Sequence, residues 1–99
     1  MGKFINIFIN PKKGVTKENI EKKMNLAIDW YRYHDNGYIV FTTSDVNKWQ
    51  ERLLEFVKDD GSLFICELNT SNRSGFMTTA FWDWLKKDRN TSHNVSSER

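Results

Sequence analysis

The sequence predicts a small α+β domain built on a four-stranded antiparallel sheet, and three observations lead to this prediction. Four short segments rich in Ile, Val, Phe and Tyr alternate with two amphipathic stretches of helical period. An Asn-Gly pair separates two of the strand-like segments, as a tight hairpin turn does. Aromatic residues make up 14% of the 99 residues and include four tryptophans, which supplies enough large apolar surface for one compact core.

Residues 3–10 (KFINIFIN) form the first predicted strand. Isoleucines occupy every second position, and Phe4 and Phe8 lie on the opposite face, so both faces of this strand are apolar. A strand that is apolar on both faces is typical of the centre of a sheet. The loop PKKG follows, and Thr16 is then a candidate N-cap for an amphipathic helix whose apolar positions include Ile20 and Met24.

Two β-rich runs, DWYRYH and YIVFTTS, flank the next turn. Asn36 and Gly37 tolerate positive φ, so the pattern predicts a type I′ hairpin. Ser44 is predicted to cap a second helix over residues 45–60, which Gly61 ends. Residues 62–69 form a fourth strand with apolar residues on both faces, and residues 76–87 contain a short aromatic helix.

The resulting order is βαββαβ followed by a C-terminal helical extension. This order predicts a ferredoxin-like fold, in which both helices cover one face of the four-stranded antiparallel sheet. The other face is also apolar and must be covered, either by the C-terminal aromatic segment or by a second copy of the protein. We expect one domain over residues 1–87 and a disordered polar tail over residues 88–99. The residues predicted to form this dimer or sheet-covering surface are Phe81, Trp82 and Trp84.

Several classes of protein are disfavoured by composition. No apolar run approaches the ~20 residues of a membrane span, and no signal-peptide pattern is present, so we expect a cytoplasmic protein. Cys66 is the single cysteine and is predicted to be a buried, reduced thiol. Metal-ligand spacings are absent, so the sequence predicts no metal and no cofactor. The formal net charge of +2 does not by itself indicate nucleic acid.

The candidate binding residues lie in two segments. Lys12 and Lys13 precede the first helix, where a helix N-terminus can receive an anion. Trp30, Arg32 and His34 alternate along the second β-rich stretch, DWYRYH, so they are expected to share one face and combine stacking, phosphate-binding and titratable side chains. For His34 and Asp35 we favour a structural explanation over a functional one. Asp35 belongs to the hairpin turn, and His34 flanks that turn on the surface. No residue is predicted to be catalytic.

The stretch from DWYRYHDNG to SLFICELN, followed by Gly75 and WDWLKK, resembles the small SinR-like proteins. These are related to the CRISPR-associated adaptation subunit with a ferredoxin-like fold and to the VapD-type ribonucleases. The resemblance covers residues 4–87 and implies homodimerisation and, in catalytic relatives, a metal-dependent phosphodiesterase. Those relatives carry a metal-binding aspartate at the end of the first strand, and the matching residue here is Asn10. An amide lacks the charge that a hard cation requires.

Two functions follow as expectations. The first is a non-catalytic homodimeric interaction protein that binds a protein complex or nucleic acid, for instance a phage-encoded inhibitor of a bacterial defence system. The Lys-, Asn- and Ile-rich composition suits an AT-rich bacterial or phage genome. The alternative is a small endoribonuclease in which Arg32, His34 and Asp35 act together. The replacement of the metal-binding aspartate by Asn10 favours the first function.

Overall fold

The computed structural model describes residues 2–89. The domain is α+β, with a four-stranded antiparallel sheet of order β2-β3-β1-β4 and three α-helices. This arrangement is compatible with the predicted ferredoxin-like fold. No α-helix within residues 2–89 is long and apolar enough to cross a membrane. The elements are β1 (Lys3–Asn10), α1 (Lys17–Met24), β2 (Asp29–His34), β3 (Gly37–Thr42), α2 (Val46–Leu53), a 3₁₀ turn (Leu54–Phe56), β4 (Ser62–Leu68) and α3 (Thr79–Lys86).

Strand β1 is central, as its sequence predicts, and it pairs antiparallel with β3 on one side and β4 on the other. The isoleucines at 5, 7 and 9 are fully buried against α1 and α2, on what we call the first face of the sheet. The helices contribute Ile20 and Met24 from α1, and Trp49 and Leu53 from α2. The two amphipathic stretches therefore bury their predicted apolar positions on one side of the sheet.

The helix caps agree with the sequence at α1 and differ at α2. Thr16 and Asn19 form a reciprocal capping box at the start of α1. Asp45, and not Ser44, caps α2, because its Oδ1 accepts a hydrogen bond from the Lys48 backbone N–H at 2.8 Å. The Ser44 backbone N–H donates instead to Thr42 Oγ1 at 3.1 Å.

Helix α2 also ends earlier than predicted, at Leu53, and the left-handed residue that follows is Asp59 (φ 86°). Gly61 therefore does not end the helix. A Cβ at Gly61 would lie 2.6 Å from the backbone oxygen of Asn10, so this glycine lets the start of β4 approach the end of β1.

A hairpin joins β2 to β3 as predicted, but its two turn residues are Asp35 and Asn36, and the predicted type I′ turn at Asn36-Gly37 is wrong. Within residues 2–89 positive φ occurs only at Asp59 and Gly14, so neither Asn36 nor Gly37 adopts the left-handed conformation. Asn36 instead anchors the turn to β1, since its Nδ2 donates to the Ile9 carbonyl and its own carbonyl accepts from the Ile9 N–H, both at 2.9 Å. Gly37 pairs with His34 across the ladder, where the Tyr33 ring lies over it.

The opposite side of the sheet, which we call the second face, is covered in part by α3. Phe81 and Leu85 are buried there against Ile39. Trp84 lies with its ring centroid 5.9 Å from that of Phe4 and 5.5 Å from that of Tyr31. The C-terminal aromatic segment of the same chain thus packs on the sheet.

Arg89, which the sequence assigned to the disordered tail, belongs to this packing. Its side chain is only 7% exposed, and its Nε lies 3.3 Å from Asp29 Oδ2. Its guanidinium sits 4.3 Å from the Trp84 ring centroid and also contacts the rings of Phe4 and Phe41. The remainder of the predicted tail, residues 90–99, lies outside the described residues.

Cys66 is exposed, so the prediction of a buried thiol is wrong. The reason is topological. Strand β4 is at the edge of the sheet, and α3 covers the other half of the second face, near β2 and β3. The sequence shows that β4 is apolar on both faces, but it does not show which strands of the second face α3 covers.

Replacement of Gly37 by alanine tests the role of this glycine in the hairpin. A Cβ at Gly37 would lie 2.7 Å from the Tyr33 ring, so we expect Gly37→Ala to lower the free energy of unfolding by about 1–3 kcal/mol through overpacking. In a Tyr33→Ala background the same substitution should cost much less, because the clashing ring is gone. Chemical denaturation of the four proteins gives the double-mutant cycle. Equal costs in both backgrounds would contradict the packing role.

Candidate functional site

The sequence-predicted residues of β2 have structural contacts that the sequence did not reveal. Trp30 lies on the first face, with its ring centroid 5.7 Å from that of Tyr38, and its Nε1 donates to Asn25 Oδ1 at 2.8 Å. Arg32 is paired with Tyr38 across the ladder, and its Nη2 forms an ion pair with Asp35 Oδ1 at 3.2 Å. The contacts of Trp30 and Arg32 therefore stabilise the edge strand β2.

His34 is separated from that pair by an irregularity in the β2–β3 register. It is exposed at the end of the hairpin, and its Nδ1 accepts a hydrogen bond from the Asn36 backbone N–H at 3.3 Å. The ring is thus part of the turn. The expected alternation of Trp30, Arg32 and His34 on one face holds only for the first two residues.

Tyr38 is the buried polar group of this region. Burial, followed by the nearby Glu21 carboxylate, raises the pKa of Tyr38 to about 12, while Arg32 acts in the opposite direction. The hydroxyl lies 3.4 Å from Glu21 Oε2, to which it donates. A neutral, hydrogen-bonded tyrosine therefore links α1 to the sheet.

Lys12 and Lys13 lie in the loop after β1. The Lys12 backbone N–H donates to the Phe56 carbonyl at 2.8 Å, which fixes the loop against the 3₁₀ turn that follows α2. Lys13 is exposed. Asn10 pairs with Ser62 at the end of β1. Among residues 2–89 there is no group of three His, Cys, Asp or Glu side chains placed to hold a metal ion.

The second face offers a different candidate site, a groove of about 410 Å³ between the sheet and the loop that joins β4 to α3. Its floor includes Asn6 and Tyr33, and one wall is formed by Trp82 of α3. The opposite side is the polar loop of residues 69–77, which contributes Arg73 and Phe76. Of the predicted surface residues, Phe81 and Trp82 line this groove, whereas Trp84 packs towards Phe4 and Tyr31.

Polar contacts at the floor of the groove fix its chemistry. The Tyr33 hydroxyl donates a hydrogen bond to Asn6 Oδ1. Burial raises the pKa of Tyr33, so the hydroxyl stays protonated at neutral pH and keeps this donor role. Asn6 therefore presents its Nδ2 donors with no partner among the described residues.

Beside the groove lies an uncovered part of the second face, which we call the open strip, formed by Phe8, Phe64 and Cys66. Phe8 and Phe64 are directly opposite each other in the β1–β4 ladder, and they are 40% and 62% exposed. Cys66 is the cross-strand neighbour of Asn6, so the strip and the groove adjoin. The sequence predicts that this face is apolar and needs a cover, but it does not show that Phe8, Phe64 and Cys66 are the residues that the C-terminal segment leaves exposed.

No family model matches this sequence, and no curated protein and no solved structure gives a significant match.

Substitution of Tyr38 by phenylalanine should change how stability depends on alkaline pH. The raised pKa means that the folded state holds the Tyr38 proton more tightly than the unfolded state, so stability is retained below the ordinary pKa of 10.0 and lost as pH rises towards about 12. Between these values we expect wild type to lose roughly 1–2 kcal/mol more than Tyr38→Phe.

Urea denaturation at a series of alkaline pH values measures this difference. Tyr31→Phe is the matched control, because it removes a tyrosine hydroxyl from the opposite face of the sheet. The explanation is wrong if Tyr38→Phe keeps the wild-type slope.

Proposed function

We propose that the chain has a ferredoxin-like fold and acts as a non-catalytic homodimeric interaction protein whose partner is a protein complex or nucleic acid. The observation that carries this proposal is the open strip. Phe8 and Phe64 are large apolar side chains on regular strands, directly opposite each other, and neither is covered by α3. Contiguous exposed apolar surface of this kind marks interaction sites.

A second copy of the chain is a suitable cover for the open strip. The strip lies on β1 and the edge strand β4, so a two-fold axis near Phe64 would bring the same rings of two copies together. Full burial of a phenylalanine contributes about 1.5–3 kcal/mol. Because Phe8 and Phe64 are already partly buried within one copy, with 40% and 62% exposed, burial of the remaining surface of the four rings contributes about 3–6 kcal/mol before costs. Association costs about 4–15 kcal/mol, so we expect a dimer that dissociates at low concentration. The resemblance to the SinR-like proteins also implies a homodimer.

Binding is favoured over catalysis by the contacts of the candidate catalytic side chains. An endoribonuclease built on Arg32, His34 and Asp35 needs these groups free to meet a phosphate. Arg32 and Asp35 are instead paired with each other, and His34 Nδ1 accepts from the turn backbone. Asn10 supplies no carboxylate at the end of β1.

Replacement of Phe64 by serine should weaken the dimer. Phe64 is 62% exposed within one copy, so the substitution removes little intramolecular burial and should leave the monomer folded. We expect the dimer dissociation constant to rise at least about tenfold, which corresponds to about 1.4 kcal/mol. Sedimentation equilibrium over a range of concentrations measures it.

Leu54→Ser is the matched control, because Leu54 is 42% exposed and lies on the helix side of the sheet. It should leave the dissociation constant unchanged. A wild-type protein that remains monomeric at every concentration, or a Leu54→Ser effect as large as that of Phe64→Ser, overturns the homodimer.

An RNA cleavage assay distinguishes the alternative function. We expect wild type, with or without Mg²⁺, to cleave RNA no faster than the His34→Ala variant. His34 is exposed, so its substitution should not disturb folding. Cleavage by wild type that His34→Ala abolishes would show that the protein is an endoribonuclease.

A further inference from the structure

We propose that the groove on the second face binds a nucleoside monophosphate unit, with the ring against the aromatic wall and the phosphate at Arg73. The site is independent of the homodimer proposed above. Its volume of about 410 Å³ falls within the range of about 300–1,000 Å³ that is typical of small-molecule sites. The class of ligand follows from three features of the lining.

The first feature is a large aromatic surface. Trp82 is half-buried in the wall, and Phe81 supports it edge-on with ring centroids 5.2 Å apart. Phe76, from the loop at the mouth of the groove, is fully exposed, so burial within the described residues does not account for a phenylalanine at this position. Flat apolar rings that stand at a groove mouth are suited to stacking on a planar ring of a ligand.

The second feature is a set of hydrogen-bonding amides within reach of the ring edge. Asn6 lines the groove, its Oδ1 accepts from the Tyr33 hydroxyl, and its Nδ2 has no hydrogen-bond partner among the described residues. Asn72 lines the loop side with a side-chain amide that has no hydrogen-bond partner in the described part of the chain. A hydrocarbon ligand would leave these groups unsatisfied, whereas a nucleobase carries complementary donors and acceptors on its edge.

The third feature is charge. Among the described residues that line the groove, Arg73 is the only one with a charged side chain, so the groove favours an anion. One guanidinium nitrogen, Nη1, donates to the Thr70 carbonyl at 3.1 Å, and the guanidinium carbon lies 5.9 Å from the Trp82 ring centroid. The group is thereby held beside the aromatic wall with its other donors available. A guanidinium binds a phosphate through paired N–H donors.

Together these features select a ligand that has a planar ring, polar ring edges and one anionic group at a distance from the ring. A nucleoside monophosphate has all three. The same unit occurs free in solution and as an unpaired residue in a single strand, and the groove chemistry is common to both sources.

Titration with AMP, adenosine and inorganic phosphate tests the proposal on the full chain. The readout is the indole N–H signal of Trp82 in two-dimensional NMR spectra, assigned with a Trp82→Phe variant. We expect AMP to shift this signal with saturation, adenosine to bind about tenfold more weakly, and phosphate alone to leave the signal in place. A short oligoadenylate distinguishes the sources: tighter binding than AMP assigns the site to single strands, and weaker binding assigns it to the free nucleotide.

Two variants and two matched controls locate the binding. Arg73→Ala and Phe76→Ala should each weaken AMP about tenfold, as expected for loss of a charged contact or one stacked ring. Both side chains are exposed, so the fold should be kept. Lys86→Ala removes an exposed charge from α3, and Leu54→Ala removes an exposed apolar side chain from the helix side, and neither should change AMP binding.

Three results overturn the groove as a nucleotide site: no shift with either AMP or the oligoadenylate at millimolar concentration, equal binding of adenosine and AMP, or Arg73→Ala behaving as Lys86→Ala does. Sedimentation of the same samples reports the dimer separately. A monomeric protein that binds AMP contradicts only the proposed homodimer, and a dimer that fails to bind AMP contradicts only the nucleotide site.

Discussion

The apolar character of both faces of β1 is the constraint on which the rest of the structure depends. The strand is central, with isoleucines on the first face and Phe4 and Phe8 on the second. The two connecting helices cover only the first face. The chain therefore adds α3 beyond β4 and packs Phe81 and Leu85 on the second face. A single helix of eight residues cannot cover four strands, so one half of this face is buried and the other half remains open.

A polar anchor holds the added helix in place. Arg89 follows α3 and inserts its side chain among aromatic rings, where it pairs with Asp29 of β2 and donates to the Trp84 carbonyl. Burial lowers the pKa of Arg89, while the Asp29 carboxylate raises it and thus supports the charged form. This pairing offsets part of the loss of hydration of the guanidinium, and it joins the C-terminal segment to the edge of the sheet farthest from β4.

The position of this anchor determines where function can reside. Because α3 is drawn towards β2, the loop between β4 and α3 spans the second face and encloses the groove, and the open strip is left beside β4. The candidate binding residues of β2 make contacts within the domain instead: Trp30 packs on Tyr38 and Arg32 pairs with Asp35. The exposed apolar surface and the groove thus lie on the second face of the sheet, whereas Trp30 and Arg32 lie on the first.

Local patterns in the sequence determined the positions of the strands and helices. The alternation in residues 3–10 predicts β1 with its observed bounds, and Thr16 predicts the start of α1. The Asn36-Gly37 pair predicts the hairpin, whose turn lies one residue earlier. These features depend on neighbours in the chain. The tertiary structure alone decided the rest, because it depends on contacts between distant residues. Gly37 is required by the Tyr33 ring and not by φ, and Cys66 is exposed because β4 is an edge strand. Arg89 packs on the sheet because Asp29 lies opposite it. The groove itself exists only where Asn6, Arg73 and Trp82 meet, and residues so far apart in the chain carry no shared local signal.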